Sequence, residues 1–372
     1  MITTEEPMLF PWIQDQIQEF LKRECLEKKD LINLGIGDTI HNLPECIVKA
    51  LLKAASEMGS RSIGYGDELG NSILRERIGR SVYAPFCFST DEIIITEGIN
   101  NSLTHLIHSF KQGSKFGILT PTYPVYRSLL TISRMHITEI SAGEDCIFEP
   151  PLIKLDAMIL CSPNNPTGLA FSRVQLQKWV DWAIESDTIL LFDGAYESFI
   201  GDRDFPRSIY EIEGAKRVAI EMRSFSKSLG FSGLRLGYFA VPREIRGGVF
   251  LSLMKRLMIA STNGVSYVVQ QAGLAAVSEE GLLEMGCLSK GYMLMTRKLK
   301  DCLVSKGFEI QGGDHAPYLL WKCPGSSKEH FLNLLQRHRM VTVPGVGFGM
   351  DGFLRLSGFI NEETLERIVK EL

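Results

Sequence analysis

Lys227 stands in Ser224-Phe225-Ser226-Lys227, just after the apolar run Arg217–Met222, and Arg235 follows a few residues on. A lysine can attack a carbonyl only when neutral, and burial or nearby cations depress its pKa. Two serine hydroxyls and a guanidinium fork suit a phosphate dianion. Gly98-Ile99-Asn100-Asn101-Ser102 opens a helical pattern, so its backbone N–H groups form a second anion site at a helix N-terminus. Lysine plus phosphate cup points to a Schiff base with pyridoxal phosphate. Asp193 ends the run Ile189-Leu190-Leu191-Phe192. A carboxylate there can keep a pyridine nitrogen protonated and so make the ring an electron sink. Asn165 and Tyr196 can hydrogen-bond the ring oxygen, and Tyr123 can stack on the ring face. Arg355 can grip a substrate carboxylate with two parallel hydrogen bonds. Taken singly, these have bland readings: a solvated lysine, a loop Asp, a turn Asn, packed tyrosines, a strand arginine. Their convergence is the signal.

The elements that must position them alternate. Short apolar runs at Glu92–Thr96, Lys115–Thr120, Ala157–Cys161, Thr188–Phe192, Arg217–Met222 and Leu236–Val241 predict strands buried on both faces. Helical patterns at Asn100–Gln112, Val125–Arg134 and Arg173–Glu185 lie between several of them. This predicts an α/β fold with a mostly parallel sheet flanked by helices, whose ligand site lies beyond the carboxyl ends of the strands. Each candidate up to Arg235 follows such a run. From Glu279 the pattern changes to one of helices with short strands, a smaller α+β domain. The expected division is 39–278 for the large domain and 279–372 for the small one. Residues 1–38 form an N-terminal arm with one amphipathic helix, Phe10–Leu26, packed on the small domain.

The 372-residue chain has 45% hydrophobic and 23% charged residues, which argues against disorder or coiled coil as its main character. Its net charge of −4, without a dense basic run, argues against a nucleic-acid binder. No apolar run reaches the ~18 residues of a membrane span, and no secretory signal is seen, so a cytoplasmic protein is expected. The eight cysteines, Cys146 among them, are scattered without a CxxC pair; a metal site or disulfide framework would need closer, patterned spacing.

Four motifs in register, Asn165-Pro166-x-Gly168, Asp193-x-x-Tyr196, Ser224-x-Ser226-Lys227 and Arg235-x-Gly237, resemble the class I/II aminotransferases of fold type I. The resemblance runs from about Leu31 to the C-terminus. It implies a fold type I pyridoxal 5′-phosphate enzyme acting on amino acids and 2-oxo acids. It also implies a homodimer with shared active sites, in which Tyr65 of Gly64-Tyr65-Gly66 reaches the partner's cofactor phosphate. Further stretches, Asn33-Leu34-Gly35-Ile36-Gly37-Asp38-Thr39, Asp193-Gly194-Ala195-Tyr196-Glu197-Ser198-Phe199 and Gly312-Gly313-Asp314-His315-Ala316-Pro317-Tyr318, are similar to those of the LL-diaminopimelate aminotransferases. That likeness implies that Glu68 and Asn263 recognise the distal end of the substrate across the dimer, and that the Gly37 backbone approaches its carboxylate. Two departures stand out: Gly98-Ile99-Asn100 replaces the frequent Gly-Ala-Lys, and Met8 replaces a tyrosine before Leu9-Phe10.

The implied activity interconverts LL-diaminopimelate and 2-oxoglutarate with tetrahydrodipicolinate and glutamate. The alternatives are an aminotransferase for aromatic residues, alanine or aspartate, a lyase on the same scaffold, and a non-catalytic cofactor-binding regulator. A regulator would need a DNA-binding domain, for which the chain has neither room nor a basic segment.

Overall fold

In a computed structural model, which describes residues 9–142 and 148–372, the apolar runs become neighbours in one seven-stranded sheet. Met8 and Cys146 lie outside the described residues. The strand order is Ile93–Thr96, Gly237–Ala240, Ala219–Ser224, Ile189–Asp193, Ala157–Cys161, Lys115–Thr120 and His136–Ser141. Six run parallel to one another and Gly237–Ala240 runs against both its neighbours. The edge strand His136–Ser141 has no counterpart in the apolar runs. Lying at the edge, it mixes exposed and half-buried positions and carries Thr138 and Glu139.

Alternate residues of the central strands face opposite helical layers, as a pleated backbone requires. Leu190 and Phe192 pack with Leu176, Trp179 and Val180 of helix Arg173–Ser186, whose start is capped by Ser172 accepting from the Gln175 N–H. Leu191, Ile220 and Met222 face the other way. They meet Leu103 and Leu106 of helix Ile99–His108, Leu130 of helix Pro124–Ile132, and Met254 and Met258 of helix Val249–Ser261. Every residue of Ala157–Cys161 and Ile189–Asp193 is buried. The sheet is therefore a rigid platform whose carboxyl edge can hold side chains to fixed positions.

A second, four-stranded antiparallel sheet has the order Val343–Pro344, Phe353–Ser357, Tyr318–Lys322, Ile310–Gly312. Helices Ser327–His338 and Leu9–Glu24 cover one side of it. From the latter, Ile13, Ile17 and Phe20 pack with Phe331, Leu335, Val343 and Leu354. Ile32–Asn33 pairs in parallel with Met340–Val341, tying the start of the chain to this region. The 27-residue helix Glu279–Ser305 runs alongside, and its Tyr292 joins Tyr196, Tyr318 and Phe359 in an aromatic cluster between the two sheets. Among the described residues no helix is long and apolar enough to cross a membrane.

Candidate active site

The carboxyl ends of the parallel strands open onto a cleft of about 350 Å³ between the two sheets. Ile99, Asn100, Tyr123, Asn165, Asp193, Tyr196, Ser224, Ser226, Lys227, Arg235, Gly37 and Arg355 all line it. Register explains much of this. Cys161 pairs with Asp193, so the loop carrying Asn165 leaves the sheet beside Asp193. Ser224 pairs with Gly237, and the reversed strand begins at the same edge where its neighbours end. That reversal brings Arg235, two residues before Gly237, into the cleft.

Asp193 is 4% exposed. Its Oδ2 accepts from the Tyr126 hydroxyl at 2.6 Å and its Oδ1 from the Ala195 N–H at 3.0 Å. Burial pushes its carboxyl up to about 6, and the two donors pull against that rise. Such a carboxylate is expensive to leave unpaired, so a protonated ring nitrogen is a fitting partner for it.

Lys227 lies in the turn after Ala219–Ser224. Its Nζ donates to the Gly37 carbonyl at 2.5 Å and stands 3.7 Å from Asp38 Oδ1. Burial holds the ammonium below the ordinary lysine value; Asp38 opposes this, while Arg355 and Arg235 add to it. Asp38 also accepts from Ser232 Oγ. The Gly37 backbone thus meets the lysine, an arrangement not anticipated from the sequence, where it was expected beside the substrate carboxylate.

Opposite Asp193, Arg235 Nη1 meets Ser226 Oγ at 3.4 Å, and Ser224 Oγ accepts from the Ser226 N–H at 3.1 Å. Gly98, with φ +94°, starts helix Ile99–His108 without a side-chain cap. First-turn N–H groups have no partner inside a helix. A Cβ at Gly98 would come within 2.8 Å of Arg235 Nη2, so only glycine lets the guanidinium lie against this helix start. Hydroxyls, a fixed cation and helix N–H groups converging on one point fit a phosphate. The phenol of Tyr123 is pushed up chiefly by burial, and Asn100 nearby pulls against that rise.

Arg355 is 2% exposed. Its Nη1 donates to Asn165 Oδ1 at 3.0 Å and its Nη2 to the Gly35 carbonyl at 2.6 Å, while Nε has no hydrogen-bond partner. A buried donor without a partner is costly, and a carboxylate would complete this one. Tyr196 shares a 2.9 Å hydroxyl–hydroxyl hydrogen bond with Tyr318.

Tyr65, Glu68 and Asn263 do not line this cleft. All three are exposed, Tyr65 at 91%, on the outer surface. The turn at Asn263-Gly264 nevertheless lies against the Glu68 segment: a Cβ on Gly264 would approach Asp67 O at 3.2 Å and Glu68 Cα at 3.8 Å. Tyr126, Tyr318 and Asp38 are cleft residues that the sequence reading missed. For Tyr126 the available signal was its place one helical turn after Tyr123, and for Asp38 and Tyr318 their presence in the quoted motif stretches.

The description "Aminotransferase class I and II" matches residues 29–372 as a family model. An LL-diaminopimelate aminotransferase of Phocaeicola vulgatus is 37% identical over 93% of this chain and 92% of its own. One from Prochlorococcus marinus is 36% identical, over 97% and 96%. The solved structure of L,L-diaminopimelate aminotransferase from Chlamydomonas reinhardtii superposes with a TM-score of 0.93 at 35% identity, covering 99% of this chain and 95% of that one.

Proposed function

The chain belongs to the class I and II aminotransferases, and from that premise we propose that it exchanges an amino group between LL-diaminopimelate and 2-oxoglutarate, or between glutamate and tetrahydrodipicolinate in reverse. The observation that carries this substrate is likeness over almost the whole length to proteins named LL-diaminopimelate aminotransferase, at 36–37% identity.

Pyridoxal 5′-phosphate is the cofactor this reading requires; when bound, it supplies the electron sink for the electrons left at the substrate Cα. Ser224, Ser226, Arg235 and the helix start at Gly98-Ile99-Asn100 would hold its phosphate. Asp193 would hold the ring nitrogen, Asn165 and Tyr196 the ring oxygen, and Tyr123 the ring face. The fit rests on the Gly98–Arg235 approach and on the donor set at that end of the cleft. Arg355, backed by Asn165 and Gly35, would receive the substrate carboxylate on the guanidinium where it lines the cleft. Lys227 Nζ, its charged form disfavoured by burial, would carry the proton to and from the reacting carbon.

In this reading the enzyme is a cytoplasmic homodimer. Tyr65 reaches the partner's phosphate, and Glu68 and Asn263 meet the distal ammonium and carboxylate of a substrate bound to the other subunit. Their exposure outside the cleft, side by side, supports donation in trans. The large domain spans 39–278, and residues 1–38 join 279–372 as the small one.

A half-reaction screen tests the substrate. The purified yellow protein is mixed with each amino acid in turn and the cofactor absorbance followed. Loss of the band with LL-diaminopimelate and with glutamate is expected. Reaction with aspartate, alanine or aromatic residues but not LL-diaminopimelate would overturn the assignment.

A further inference from the structure

We propose that Tyr318 is a positioning residue that couples the carboxylate-gripping Arg355 to the ring-facing Tyr196, an inference that rests on the reading above.

Its placement follows from strand register. Tyr318 pairs with Ser357 and Leu320 with Arg355 across the antiparallel strands Tyr318–Lys322 and Phe353–Ser357. Residues two apart on a strand share a face, so Tyr318 and Arg355 are diagonal neighbours on one side of the sheet. The Arg355 guanidinium carbon lies 4.7 Å from the centre of the Tyr318 ring, within cation–π range. The same ring stands edge-on to Tyr196, with centres 5.2 Å apart, and the two hydroxyls are 2.9 Å apart. A Cβ on Gly37 would fall 2.5 Å from Tyr318 Oη, so the hydroxyl is pressed against the glycine whose carbonyl receives Lys227.

Tyr318 is fully buried, with 0% exposure, so its hydroxyl has little choice of partner. If Tyr196 spends its single proton on the ring oxygen, the short contact is a hydrogen bond only with Tyr318 as donor. Donation into the Tyr196 oxygen polarises that hydroxyl and strengthens its own donation onward. Burial keeps both phenols protonated at neutral pH, as this relay needs. One side chain therefore senses the carboxylate end and braces the ring end of the cleft.

Two variants of the cofactor-loaded enzyme separate these roles. Tyr318→Phe removes the hydroxyl and keeps the ring. The pH midpoint of the bound cofactor's absorbance should rise by about half a unit to one unit, the size of one net hydrogen bond. The affinity for a non-reacting dicarboxylate should stay close to wild type. On a Tyr196→Phe background the same change should add no further shift. Tyr318→Leu removes the ring as well and should weaken dicarboxylate binding about fivefold or more. An unshifted midpoint in Tyr318→Phe, or a shift that persists without the Tyr196 hydroxyl, would overturn the coupling even if the melting temperature falls. The Phe variant alone decides the link to Tyr196, and dicarboxylate binding left unweakened in a folded Leu variant would overturn the link to Arg355. Wild-type protein that takes up no pyridoxal phosphate would overturn the proposed function itself, a distinct result.

Discussion

Tyr126 donates to the buried carboxylate of Asp193 across 67 residues of chain, at 2.6 Å. The phenol comes from the first turn of helix Pro124–Ile132 and the carboxylate from the last residue of strand Ile189–Asp193, so two elements distant in the chain lock one acid in place. The bond orients Oδ2 and partly offsets the cost of burying the charge.

That burial gives Asp193 a pH signature. Its folded pKa of about 6 lies above the ordinary 3.8, so the folded state binds the extra proton between those values. The contribution of Asp193 to the stability of the cofactor-free protein is therefore fully present below the lower value and lost as pH rises through the upper one, by roughly 3 kcal/mol. Denaturant melts across this range should show the stability of wild type relative to Asp193→Asn falling as pH rises through about 6. The loaded Asn variant should still hold cofactor yet lose at least ~10²-fold in turnover, because an amide cannot keep the ring nitrogen protonated. Near-normal rates would make Asp193 a structural residue.

Lys227→Ala should abolish transamination and leave the fold intact. Among the described contacts its ammonium touches only the Gly37 carbonyl and, more distantly, Asp38. The residues proposed to hold the phosphate remain, so the variant should retain cofactor without the covalent link. Circular dichroism and a turnover assay together check this, and persistent turnover would remove Lys227 from the chemistry.

Asn100→Lys should tighten cofactor retention. Asn100 lines the cleft at the start of helix Ile99–His108, next to Tyr123. A cation added beside a phosphate dianion should contribute about 1–2 kcal/mol, seen as roughly five- to thirtyfold tighter binding in a dialysis or fluorescence titration. Unchanged retention would mean that the helix start does not face the phosphate.

Glu68→Gln should discriminate between substrates. Diaminopimelate carries a second ammonium at its distal end and glutamate does not. Loss of one charge-assisted hydrogen bond should weaken LL-diaminopimelate selectively, by roughly 1.5–3 kcal/mol in kcat/KM. Glutamate should suffer much less. Equal losses would assign Glu68 to the surface it occupies in the single chain.

Much of the site is readable from the sequence because each motif follows a buried run within a few residues. Asn165, Asp193, Ser224 and Lys227 inherit their positions from strands whose apolar composition alone marks them as central. Packing those strands in parallel then delivers the motifs to one edge. The strand His136–Ser141 escapes notice for the converse reason: at an exposed edge it needs no continuous apolar run.

The tertiary structure decides what local pattern cannot carry. That Gly237–Ala240 runs backwards, and so sets Arg235 beside Ser226 and Gly98, depends on pairing with two strands far apart in the chain. That Arg355 is gripped by Asn165 and Gly35 and rests on Tyr318 depends on docking one sheet over the edge of another. Tyr126, Tyr318 and Asp38 are ordinary residue types in ordinary local settings, and each acquires its role only through a partner distant in sequence. Sequence alone placed the candidate motifs at the ends of buried strands, because hydrophobic periodicity is a local property. Which of them touch is settled only by long-range packing, because hydrogen-bond distances depend on where separate elements come to rest.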